Sequence, residues 1–130
     1  MNTDDIFIRN HISATTLVHE GMRIPLVHAM TGVTWRSLRK IWQDTYGDAT
    51  PLPGRMPGNT LSYIKQGQTS LLLSTLVAVY LTVEKRANPP AASQAEMFIQ
   101  AWESRKFFTK RGMAIDINAA WYAIRDVKAE

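Results

Sequence analysis

An all-α chain is what this sequence predicts. Three observations carry the prediction. Apolar residues recur at helical spacing, with Leu38, Ile41 and Trp42 on one face of one stretch, Phe98, Ala101 and Trp102 on another, and Ile117, Trp121, Ile124 and Val127 on a third. Capping residues open these stretches, and Gly or Pro closes or separates them. The expected architecture is one small helical domain over residues 1–130. It holds a helix-turn-helix at about 23–45, a Pro/Gly-rich loop at 47–60 after the second of those helices, and a helical remainder at 61–130.

Each element has its own local reason. Thr3 is placed as an N-cap, with Asp4 and Asp5 in the first turn, where the helix dipole favours negative charge. The helix they open runs toward His19, either unbroken or, since Ser13, Thr15 and Thr16 weaken it, in two pieces. Gly21 stops it, and Pro25 then stands where a first helical position tolerates a missing N–H. Ile24–Met30 follows as a short helix, Thr31-Gly32-Val33-Thr34 as a tight turn, and Thr34 caps a second helix over about Trp35–Thr45.

Three Gly and three Pro between Gly47 and Thr60 make a stiff, irregular loop. Gln68–Arg86 has the length of a buried helix, although Val77, Val79, Leu81 and Val83 alternate as a strand does. Ser93 with Glu96 three residues later is a capping-box signature. The helix it opens is expected to carry Phe98, Ala101, Trp102 and Phe108 inward, to end with Lys110 and Arg111, and to stop at Gly112. Asp116 caps the final helix.

Composition narrows the function. Absence of cysteine removes disulfides, cysteine zinc sites and thiol nucleophiles together. His11, His19 and His28 lack the i, i+4 pairing of a zinc helix, so surface or packing roles are expected and neither metal nor cofactor. The scattered carboxylates suggest no catalytic set, and Gly54-Arg55-Met56-Pro57-Gly58 lacks the Lys-Ser/Thr of a phosphate loop, which argues against an enzyme. Asp4 and Asp5 oppose the basic start of a secretion signal. The apolar run Leu71–Val83, broken by Ser74, Thr75 and Thr82, falls short of the ~20 residues of a membrane span. A cytoplasmic protein with no membrane partner is expected, with that apolar run in the core or at a subunit interface.

Positive charge is concentrated. Between residues 23 and 67, Arg23, Arg36, Arg39, Lys40, Arg55 and Lys65 are opposed only by Asp44 and Asp48. An anionic partner is expected to dock there. Within RIPLVHAMTGVTWRSLRKIWQD, Gly32 supplies the turn residue able to take φ > 0, Val33 points inward, and Val27, Leu38 and Ile41 or Trp42 lock the two helices. His28 and Ala29 take the close-packed positions before the turn. Thr34, Trp35, Arg36, Arg39, Lys40 and Gln43 are left facing outward, with side chains suited to bases and phosphates in a major groove. Arg55, on the stiff loop, is placed to reach the DNA backbone. An ordinary αα-hairpin with a solvated basic face is the plainer alternative.

The segment GMRIPLVHAMTGVTWRSLRKIWQDTYGDATPLPGRMPG resembles the flagellar transcriptional activator FlhC family. The likeness rests on Gly21 and Arg23, on Leu38, Lys40, Ile41 and Trp42, and on Gly47, Pro51, Pro53, Gly54, Met56 and Pro57. The later IQAWESRKFFTKRGM is similar to the family's helix with an Ala-Trp pair and a terminal Gly, here Ala101, Trp102 and Gly112. The resemblance spans roughly residues 17–115. It implies a transcriptional activator that binds double-stranded DNA upstream of promoters with a partner subunit, FlhD in the flagellar case, and recruits RNA polymerase. Similar paired activators serve conjugative elements, and homo- or hetero-oligomers are implied. The family's four-cysteine zinc site has no counterpart here. Two other readings stand beside this one: a protein-interaction subunit using the helix-turn-helix only as a scaffold, and a repressor.

Overall fold

The computed structural model describes residues 3–47, 70–86, 93–107 and 115–129, and the described residues are helical nearly throughout, with no strand among them. They gather into two compact units, Met1–Gly54 and Arg55–Glu130. The physical reason is that each helix finds packing partners within its own half of the chain.

The first unit holds α1 (Thr3–His19), α2 (Ile24–Thr31) and α3 (Trp35–Tyr46), each packed on the other two. Helix α1 is continuous, and Thr3 lies inside it rather than before it. Of the two readings, the unbroken helix to His19 is the one observed. Thr15 and Thr16 donate their hydroxyls to the carbonyls of His11 and Ile12, 2.9 and 3.1 Å away, so neither competes for another backbone conformation. Ser13, Ala14, Leu17 and Val18 form the buried face. Gly21 takes φ +94°, which turns the chain from α1 into α2.

Ile24, Leu26 and Val27 of α2 and Leu38 and Ile41 of α3 are buried in the same unit. The far end of α3 is fastened by Tyr46, whose hydroxyl donates to the Val18 carbonyl at 2.5 Å. Burial first, and then the Glu20 carboxylate, push the Tyr46 hydroxyl above its ordinary pKa.

The second unit holds α4 (Ser70–Arg86), α5 (Gln94–Glu103) and α6 (Ile117–Lys128), with α4 packed on both α5 and α6. Helix α4 settles the ambiguity of the valine alternation. Leu73, Leu76, Val77 and Tyr80 recur at helical spacing and are buried, while Leu71 is 76% exposed. The capping box forms at Ser93 and Glu96. The α-helix it opens ends at Glu103 and tightens into a 3₁₀ turn over Ser104–Phe107. There the Ser104 hydroxyl donates to the Ala101 carbonyl at 2.6 Å. Phe108, Lys110, Arg111 and Gly112 lie outside the described residues. Asp116 caps α6, accepting from the N–H groups of Asn118 and Ala119 at 2.7 and 3.4 Å. Ile117, Trp121 and Ile124 are buried, but Val127 is 41% exposed, although its neighbour Lys128 still reaches Glu84 of α4 at 2.6 Å.

Trp121 is the hinge of this core. It meets Tyr80 and Phe98 edge to face, at ring-centroid distances of 6.3 and 5.4 Å. Among the described residues no helix is long and apolar enough to cross a membrane.

Candidate functional site

The connection between α2 and α3 is three residues long, Gly32 to Thr34, and its geometry is held from both sides. Gly32 closes α2 at φ +73°, donating its N–H to the His28 carbonyl. A Cβ added there would meet nothing within 4 Å, so the demand for glycine lies in the backbone angle alone. The buried Thr31 hydroxyl donates to the Val27 carbonyl at 2.7 Å and accepts from the Val33 N–H at 3.2 Å. Val33 is thereby turned inward and buried. Thr34 then caps α3, accepting from the Ser37 N–H at 3.3 Å.

With Leu38 and Ile41 buried, the helical period turns Trp35, Arg36, Arg39, Lys40 and Gln43 to solvent, and Thr34 is exposed beside them. Six of the seven residues expected to form the site are therefore exposed together along α3, from its N-cap Thr34 to Gln43. Arg55 lies outside the described residues. Arg36, Lys40 and Gln43 follow one line along the helix, and Arg39 stands three residues from Arg36 on the adjoining line. Among the described residues none forms a salt bridge with Arg36, Arg39 or Lys40. Asp44 is the one acidic residue in α3.

Two corrections concern the residues before the turn. Ala29 is exposed, not close-packed; Val27 and Thr31 occupy the buried positions instead. His28 is half-buried and has a polar partner, since its Nδ1 lies 2.8 Å from the Val33 carbonyl. A carbonyl only accepts, so Nδ1 carries the proton. The His28 ring also packs against Trp35, with centroids 5.5 Å apart and planes at 39°. Trp35, 39% exposed, meets the Arg39 guanidinium with its ring centroid 5.9 Å away. Residue types and spacing alone give the outward face of α3. They do not give the His28–Trp35 contact, because it depends on how the turn returns the chain. Among the described residues, no group of three or more His, Cys, Asp or Glu gathers in a way that could hold a metal ion.

A second exposed surface lies on α1. Phe7, Ile8 and Ile12 are 67, 53 and 60% exposed, with Ile8 and Ile12 one turn apart. Compared with models of known protein families, with curated protein sequences and with solved structures, the chain matches none of them.

Proposed function

We propose that this chain is a sequence-specific DNA-binding transcriptional regulator in which α2, the Gly32–Thr34 turn and α3 act as a helix-turn-helix, with α3 as the reading helix. The observation that carries the reading is the outward face of α3: Arg36, Arg39 and Lys40 stand on it without a salt bridge among the described residues, beside Trp35 and Gln43. Such side chains bond guanine, adenine and phosphate oxygens, and a short capped helix fits the major groove. The resemblance of the Gly21–Pro57 stretch to the FlhC family supports the further reading of an activator subunit that works with a partner and recruits RNA polymerase. Arg55 is assigned a phosphate contact.

The exposed strip of Phe7, Ile8 and Ile12 favours a second reading, an interaction subunit in which the helical hairpin is only a scaffold. A repressor shares every feature of the DNA-binding reading.

Salt-titrated binding separates these. A DNA-binding face loses affinity log-linearly with salt, with a slope of about −0.9 per phosphate neutralised. Arg36→Ala or Arg39→Ala is expected to remove ~1–3 kcal/mol of preference for a duplex selected from a randomised pool over its scrambled version. Arg55→Ala is expected to weaken both equally and lower the slope by ~1. Weak binding with a flat salt slope would favour the interaction subunit.

A further inference from the structure

Arg39 is a long, exposed side chain, and a guanidinium free to move among many rotamers reads a base poorly. Its group is not free, because it lies over the Trp35 ring at 5.9 Å from the centroid, within cation–π range. The ring also packs against His28, with centroids 5.5 Å apart, and His28 is fixed by its Nδ1 hydrogen bond to the Val33 carbonyl. The turn, the two rings and the guanidinium therefore form one connected stack. Among the described residues Arg36 has no such ring contact.

We infer that Trp35 is a positioning residue for Arg39: it holds the guanidinium in the orientation in which α3 reads a guanine, and the turn reaches the reading group through His28 and Trp35. This rests on the DNA-binding reading of α3. Trp35 is 39% exposed, so it is not a core residue whose only role is to fill volume. Its ring touches both His28, which fixes it to the turn, and the Arg39 charge, an arrangement suited to setting a direction. A pre-oriented group forfeits less freedom on binding, and apparent affinity rises with the fraction of molecules already in the competent state. An exposed cation–π contact biases that fraction about two- to fivefold.

The test uses the full-length chain, a duplex selected from a randomised pool, and its scrambled version. Trp35→Ala should lower the selected-to-scrambled affinity ratio about two- to fivefold and leave the salt slope unchanged, because the charge of Arg39 remains. In an Arg39→Ala background the same change should have no further effect on the ratio. Trp35→Tyr, which keeps a ring under the guanidinium, should restore most of the ratio. In the free protein, the side-chain proton resonances of Arg39 should lie upfield from ring current, move back in Trp35→Ala, and stay shifted in Trp35→Tyr. An unchanged ratio in Trp35→Ala, an equal loss in the Arg39→Ala background, or unshifted Arg39 resonances would each overturn the inference alone. Failure of the unmodified chain to bind any duplex would overturn both the inference and the DNA-binding reading.

Discussion

At Thr31 a single hydroxyl serves both sides of the α2–α3 turn, donating to Val27 and accepting from Val33. Thr31→Val keeps the shape and removes both bonds, leaving the buried Val33 N–H without its acceptor. The expected cost is about 1–3 kcal/mol, read as a lower urea midpoint at unchanged m-value. Thr31→Ser should lose much less. Tyr80 gives a pH-dependent case. Its hydroxyl is buried, with Glu84 and Gln94 as its polar neighbours. Burial first, with the Glu84 carboxylate adding to it and Gln94 opposing, pushes its pKa from 10.0 up to about 12. The folded state thus favours the protonated phenol. That stabilisation is fully present below pH 10 and is lost as pH rises through about 12. The melting temperature should fall across that window, and Tyr80→Phe should flatten the fall at little cost near neutral pH. At this scale the sequence reveals which residues of α3 face outward, because Leu38 and Ile41 set the helical phase. It hides the hydrogen bond of His28, whose acceptor lies five residues on, past the turn.

Helix boundaries follow capping chemistry where a side chain can reach the first free N–H groups. Thr34, the Ser93–Glu96 pair and Asp116 are all legible for that reason. Asp116→Ala removes the acceptor for the N–H groups of Asn118 and Ala119, and should cost about 1 kcal/mol by chemical denaturation. Asp116→Asn should retain most of it. Elements were less legible where a polar side chain has two choices. In α1, Thr15 and Thr16 read as helix breakers, yet their hydroxyls return to the helix's own carbonyls. At Ser104 a similar bond has a different outcome, since it reaches only three residues back and accompanies a 3₁₀ ending. Alternation of valines in α4 misleads because Val79 and Val83 are only partly buried, whereas Leu73, Leu76, Val77 and Tyr80 carry the burial.

Across the whole molecule, the two units are built on different principles. The first is joined through short connections, and the second through aromatic packing centred on Trp121. Sequence periodicity predicts apolar faces but not which helix each will meet, so the division into units is invisible until the helices are in place. Trp121→Ala should cost about 3–5 kcal/mol. The loss should appear as collapse of the resonances of Tyr80 and Phe98 in NMR spectra. The placement of Trp121 on α6 also has a consequence for synthesis. Helices α1 to α3 leave the ribosome before α4 to α6 and pack on one another, and domains fold as units in that order. Helices α4 and α5 emerge next and can pack on each other, but until α6 follows, Tyr80 and Phe98 lack the edge-to-face partner that its Trp121 supplies. At about 5–20 residues per second that interval lasts seconds. For this chain the nascent state that most needs a chaperone is the one just before Trp121 emerges.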